Sequence, residues 1–167
     1  MPYTPDQLFA YLDELGIAYT TVKHEPLFTV EQSRVLRGQI PGGHTKNLFL
    51  RDKKKNVFLV VTEEDAEIDL KQLHHPLGAS GRFSFGAPDL LMELLGVTPG
   101  AVTAFGVIND AIGRVTVVVD SKLLKHDIIN CHPLDNAMTT GLKRDDLLRF
   151  LEATGHEPRI ERVSGGG

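Results

Sequence analysis

The chain has 167 residues, 41% hydrophobic and 24% charged, the composition of an ordinary globular domain with room for one substantial core. A formal charge of −4 argues against a broad phosphate-tracking surface of the kind that grips a duplex, though not against contact with one end of a nucleic acid. One cysteine, Cys131, excludes an intrachain disulfide and a cysteine-cluster metal site, no signal-peptide layout opens the chain and no apolar run reaches the ~20 residues of a membrane span, so a reducing, cytoplasmic setting is expected.

Thr4-Pro5-Asp6 starts a helix with a capping hydroxyl, a proline at the first helical position and an acid in the first turn. Leu8, Phe9, Leu12 and Leu15 form its buried stripe, and Gly16 ends it. Ile17 to Lys23 is β-branched and aromatic and reads as a strand, broken by His24-Glu25-Pro26. Thr29 and Gln32 have capping-box spacing and predict a short helix to about Arg37.

Gly42 to Asp52, GGHTKNLFLRD, organises the chain. A glycine pair precedes Lys46 and Asn47 at the mouth of an apolar strand, a charged turn KKKN follows, and Asn56 to Thr62 returns as the second strand of a hairpin. A lysine at that threshold is either solvated or a cation fixed at the edge of a pocket. An acidic loop, EEDAEID, comes next. Asp69 then caps a short helix, DLKQLHH, stopped by Pro76 and Gly78.

Arg82 to Phe85 is a short strand. Ala87-Pro88-Asp89 starts a helix that buries Leu90, Leu91, Leu94 and Leu95 and closes at Gly96. Residues 97–104 form a glycine- and proline-containing loop, and 105–109 lead into a turn. Arg114 to Asp120, RVTVVVD, is the strongest strand signal, followed by a helical turn at 121–125 and a short strand from Ile128 to Cys131. His132 to Asn136 is a polar turn. Met138-Thr139-Thr140 precedes the last helix, Arg144 to Ala153, and Glu157 to Val163 is a terminal strand. The expected architecture is a single α/β (α+β) domain over 1–163, with a mixed, largely antiparallel central sheet, peripheral helices and a disordered tail at 164–167.

Familiar catalytic signatures are missing. There is no dinucleotide fingerprint, P-loop or nucleophile elbow, and the position at which a zinc helix beginning His24-Glu25 needs its second histidine holds Phe28. Of seven histidines, His74 and His75 read as solvated, whereas His132 ends a strand at a polar turn. Cys131 and His132 are neighbours on a strand, so they face opposite ways and make no nucleophile–base pair. In the loop Pro99 to Thr103, glycine lets the backbone aim N–H groups at an oxygen, although a plain helix-to-strand connection has the same composition.

Three segments, KNLFLRDKKKNVFLVV, GVTPGAVTAFGVIND and HPLDNAMTT, resemble in order and spacing the stand-alone prolyl-tRNA editing proteins of the YbaK/ProX superfamily, relatives of the insertion domain of bacterial prolyl-tRNA synthetases. The similarity runs from about His24 to Thr140. It implies hydrolysis of mischarged alanyl-tRNA(Pro) without metal or organic cofactor, the tRNA acceptor end as partner and prolyl-tRNA synthetase as a candidate second partner. Matched by motif, it implies a key lysine at Lys46 beside Asn47, a GXXXP loop at Gly100-Ala101-Val102-Thr103-Ala104 whose last proline is replaced by alanine, and His132 at the pocket. RFSFG resembles a strand near the substrate. Lys46, Gly100, Ala101 and His132 are then the expected catalytic group. Asn47, Thr29, Phe83, Ser84, Val102, Thr103 and Asn136 are expected to bind substrate.

The physical logic is that of a second sieve. A synthetase pocket sized for proline rejects a smaller side chain by only about 1–3 kcal/mol. A second small cavity, with a cation for the tRNA end and N–H donors for the ester oxygen, repairs the error. No side chain is an obvious strong base, so water or the vicinal ribose hydroxyl is the expected nucleophile. Arg34, Arg37 and Lys53 to Lys55 are expected phosphate contacts or simply solubilising charges. Two alternatives stay open: a deacylase for another mischarged tRNA (cysteinyl, seryl or threonyl), and a non-catalytic tRNA- or synthetase-binding module on the same fold.

Overall fold

The computed structural model of the chain describes residues 2–26, Val35 and 39–165. The helix expected after Thr29, together with Thr29, Arg34 and Arg37, lies outside the described residues. Helix α1 (Pro5–Glu14) starts where the sequence placed it, and its capping box closes. The Thr4 hydroxyl accepts from the Gln7 N–H, while the Gln7 side chain accepts from the Thr4 N–H.

Eight strands make one sheet: β1 (Tyr19–Lys23), β2 (Gly43–Arg51), β3 (Val57–Glu63), β4 (Ser84–Phe85), β5 (Val115–Asp120), β6 (Ile128–Cys131), β7 (Met138–Lys143) and β8 (Arg159–Glu161). Their order is β1-β7-β6-β2-β3-β5-β8, with β4 on the far end of β2. The sheet is mixed. β1–β7, β7–β6, β2–β3 and β2–β4 are antiparallel, whereas β2–β6, β3–β5 and β5–β8 are parallel. Short helices α2 (His74–Leu77), α3 (Pro88–Leu95) and α4 (Arg144–Ala153) complete the fold.

Strand periodicity divides the interior in two. Phe49, Leu59, Val61, Val117 and Val119 face the main core, where they meet Leu8 and Leu12 of α1, Leu91, Leu94 and Leu95 of α3, Phe105, and Leu147 and Phe150 of α4. The intervening residues Leu50, Phe58, Val60 and Val118 face a second cluster, closed by Leu73, Leu77 and Val163. VFLVV is therefore apolar throughout because both its faces are covered. Each large side chain so buried stabilises the fold by about 1.5–3 kcal/mol. Among the described residues no helix is long and apolar enough to cross a membrane.

Several expectations change. Residues 138–140 are not a lead-in to the last helix but the start of β7, which bridges β1 and β6. Gly141 masked that strand, and it is needed there: a Cβ at Gly141 would sit 2.6 Å from Asn130 Oδ1. The helix expected at 69–75 is displaced to 74–77, and Pro76 lies inside it, within a first turn that needs no proline N–H. RFSF shrinks to the two-residue β4, and the terminal strand to 159–161. Lys46 is the fourth residue of β2 rather than its first. Ser164 is buried and the Gly165 N–H donates to Glu67 O at 3.0 Å, so the chain stays packed two residues past 163.

Candidate active site

The glycine pair lets β2 begin against β6. Gly42 has φ +105°, and a Cβ there would come within 2.8 Å of Ile128 O. Asn130 Nδ2 donates to Pro41 O and Gly43 O, and Thr45 Oγ1 donates to Asn130 O at 2.8 Å. These bonds fix the parallel register, Gly43 opposite Ile129 and His44 opposite Asn130. His44 lies near His132, and Lys46, two residues further along β2, shares the face of His44.

Lys46 Nζ donates to Ala66 O at 2.7 Å. The carbonyl belongs to the acidic loop after β3, which folds back over this face. One of three ammonium hydrogens is used there. Lys46 lies opposite Thr62 on the side of the second cluster, whereas Ala101 is packed into the main core. The expected confrontation of Lys46 with the turn near residue 100 is thus replaced by a carbonyl anchor. Asn47, next along the strand, faces the main-core side with Val61. Its Oδ1 is buried without a partner, a cost of about 1–3 kcal/mol unless a ligand supplies a donor.

His132 is half-buried and held by one ring nitrogen. Nδ1 lies 3.0 Å from Met138 O, and since a carbonyl only accepts, Nδ1 carries the hydrogen. In the neutral ring Nε2 is then a lone-pair acceptor. Burial, with His24 and His44 nearby, holds this imidazole below its ordinary range and favours that neutral form. The turn that carries it is tightly built: Ala137 N–H donates to Asp135 Oδ1 at 2.7 Å, His24 N–H donates to Ala137 O at 2.9 Å, and Leu134 takes φ +69°. Asn136 is half-buried within it. His24, dismissed in the sequence as a failed zinc motif, is placed beside this site. Its Nε2 meets Thr139 Oγ1 at 2.8 Å and its Nδ1 donates to Glu25 O.

The loop after α3 is partly committed to its own folding. Pro99–Ala101 is a 3-10 turn in which the Ala101 N–H donates to Thr98 O at 2.9 Å, so Ala101 cannot offer it to an ester oxygen. Gly100, exposed in the first turn, has no intrahelical acceptor. Val102 packs on the main core. Thr103 is fully buried, and its hydroxyl caps the next 3-10 helix at the Phe105 N–H. Ala104, where the motif expects proline, occupies the first position of that helix, a site proline also suits.

Phe83 and Ser84 are not brought to this group. Ser84 pairs with Arg51, five residues along β2 from Lys46 and therefore about 16 Å away, and the Phe83 ring packs edge-on against Phe58. Cys131 is buried and its thiol is pushed up to about 11 by desolvation, against a small opposing effect of the Thr45 hydroxyl. It is a core residue, not a nucleophile. Among the described residues no group of three histidine, cysteine or acidic side chains converges to hold a metal.

The mixed sheet thus carries an anchored lysine, an asparagine oxygen without a partner on the opposite face, and a histidine held by one ring nitrogen on a tight turn. Residues 24–150 match the aminoacyl-tRNA editing domain family, and the chain belongs to that family of deacylases. It is 39% identical over 150 residues to the prolyl-tRNA editing protein ProX of Acetoanaerobium sticklandii, covering 89% of this chain and 91% of that one. It is 40% identical over 156 residues to the prolyl-tRNA synthetase associated domain-containing protein 1 of Danio rerio, covering 92% and 84%. A crystal structure provisionally described as a trans-editing enzyme for prolyl tRNA synthetase superposes with a TM-score of 0.74 over 99% of this chain and 100% of that one, at 18% identity, which is a likeness of fold.

Proposed function

We propose that the protein hydrolyses the ester of mischarged tRNA(Pro), acting in trans, and that its substrate is alanyl-tRNA(Pro). The observation that carries this reading is Lys46: an ammonium anchored by a backbone carbonyl, with two hydrogens left, on the same face of β2 as His44, which lies near His132. In the proposed reaction the ammonium engages the terminal phosphodiester or the ester oxygen. Asn136, half-buried in the turn that carries His132, is the proposed neighbour of the substrate there. His132 Nε2 accepts a hydrogen bond from the attacking water or vicinal ribose hydroxyl and so positions it. Water adds to the ester carbonyl, the ribose oxygen leaves with the proton, and alanine and free tRNA(Pro) result. An aminoacyl ester is already activated, so placement suffices.

The homologies named above support tRNA(Pro) as the carrier, and the size argument supports alanine. The acceptor end is the proposed contact, with prolyl-tRNA synthetase as a second partner that hands over its errors. A panel of mischarged tRNAs tests the reading. Alanyl-tRNA(Pro) should be deacylated and prolyl-tRNA(Pro) spared. Alanyl-tRNA(Pro) left intact while a cysteinyl, seryl or threonyl ester is cleaved would overturn the choice of amino acid. Binding without cleavage of any ester would make the protein a module instead.

A further inference from the structure

The turn that holds His132 has a second side. There, Met138, Ala137 and Asp135 form one wall of a groove of about 720 Å³. Its other wall is the stacked pair Phe9 and Tyr19, with ring centroids 5.2 Å apart and planes within 13°. Lys23 and His24 of the β1 edge, Thr21 and Asp6 complete the rim. The proposed reaction, on which the next step rests, uses none of the aromatic wall.

The chemistry of the groove narrows its occupant. The volume suits a nucleoside-sized group. A flat aromatic pair is a platform for a base, worth as much per base as the stacking seen in single-strand binders. At the N-terminus of α1 Pro5 has no N–H and the capping box engages those of Thr4 and Gln7, which leaves little to offer a phosphate. Two carboxylates, Asp6 and Asp135, stand against one lysine, so the rim favours hydrogen-bond donors over phosphate oxygens. Asp135 uses only Oδ1 within its own turn. All three bases of a tRNA CCA end carry an exocyclic amine, a donor that a carboxylate accepts. We infer that this groove receives an unpaired, amine-bearing base of the tRNA 3′ end. Met138 links the two sites directly: its carbonyl fixes His132 while its residue lines the groove, so a base seated there registers the ester against His132.

Titration of the isotope-labelled full-length protein with the trinucleotide CCA, and with UUU as a control that lacks the amine, tests this. Amide shifts should appear at Tyr19, Thr21, Lys23 and 135–138 with CCA and be much smaller with UUU. In deacylation kinetics, Phe9→Leu and Asp6→Asn should raise KM for the aminoacyl-tRNA about tenfold, with a smaller effect on kcat. Asp6 is exposed, so its variant keeps the test alive should Phe9→Leu fold poorly. Equal shifts with CCA and UUU, no shift along β1, or unchanged KM in both variants would overturn the inference. The titration needs no turnover. Groove shifts in a protein that cleaves no ester would keep the inference and refute the proposed reaction. Cleavage without groove shifts would do the reverse.

Discussion

Lys46 Nζ and the carbonyl of Ala66 meet at 2.7 Å, joining the middle of β2 to the loop that follows β3. The bond fixes an ammonium that would otherwise sample many rotamers. Its acceptor is a backbone atom, so no side-chain substitution at Ala66 removes it, while Lys46→Ala deletes the cation alone. If the ammonium engages the substrate, Lys46→Ala should lower kcat/KM for deacylation by about 10²–10³. The thermal midpoint should move little, since a partly exposed charged hydrogen bond contributes about 1 kcal/mol. Retained activity at wild-type level would remove Lys46 from the reaction.

The state of His132 predicts a pH dependence. Desolvation by burial, with the fields of His24 and His44, favours the neutral ring in the folded protein. Its folded pKa lies below the unfolded value near 6.5. Deacylation that uses neutral Nε2 as an acceptor should stay flat through neutrality and fall only below pH 6.5. The stability term has the same direction: it is complete above the unfolded value and is lost as pH falls below it, because the unfolded chain then binds the proton more readily. His132→Gln should reduce kcat more than KM and abolish the acid limb of the rate profile. An acid limb that persists in the variant would assign it to another group.

How much of this was legible follows from what each feature depends on. The hairpin of β2 and β3, the caps of α1 and the leucine stripes of α3 and α4 are local patterns, and they appear where periodicity put them. β7 was missed because its glycine serves a neighbour distant in sequence, Asn130. Parallel pairings such as β2–β6 and β3–β5 join segments that no short pattern connects. Within the site, the alternation that separates Cys131 from His132 also separates Lys46 from Asn47, so their placement on opposite faces was readable. The Ala66 carbonyl was not, because backbone acceptors leave no trace in residue type. His24 could have been found only by pairing it with Thr139 across β1 and β7.

Asp52 organises the turn of the hairpin. The residue is 4% exposed, and its Oδ1 accepts from the N–H groups of Lys54 and Asn56, while Oδ2 accepts from Asn56 Nδ2 and the Ser80 N–H. Burial works to raise its pKa, but these hydrogen bonds outweigh that and hold the carboxyl below its ordinary value. Lys55, at φ +67°, depends on the same turn. The contribution of a depressed carboxylate is present above the unfolded value near 3.9 and is lost as pH falls through the folded one. Asp52→Asn should therefore destabilise the fold by about 2–4 kcal/mol at neutral pH. The gap to wild type should narrow below pH 4 in chemical denaturation. A gap independent of pH would show that shape, not charge, matters there.

Asp110 and His156 form a buried pair away from the site, each side chain 1% exposed, with Nε2 donating to Oδ2 at 2.8 Å. Oδ2 also accepts from the Val115 N–H at 2.8 Å and Oδ1 from Arg114, so the carboxylate starts β5. On the other side, His156 Nδ1 lies 3.0 Å from Thr154 Oγ1, which donates to Leu151 O. A hydroxyl has one hydrogen. That hydrogen is on Leu151, and the Thr154 hydroxyl borders the far side of the His156 ring. The arrangement looks like a hydrolase triad, but its hydroxyl caps the end of α4 and its histidine is closed to solvent. Its role is to tie the end of α4 to the start of β5. His156→Ala strands a buried carboxylate and should cost about 3–5 kcal/mol, with a fall in thermal midpoint of about 10 °C. Deacylation per folded molecule should be unchanged. Activity lost at a temperature where the variant is still folded, by circular dichroism, would show that this pair takes part in the chemistry after all.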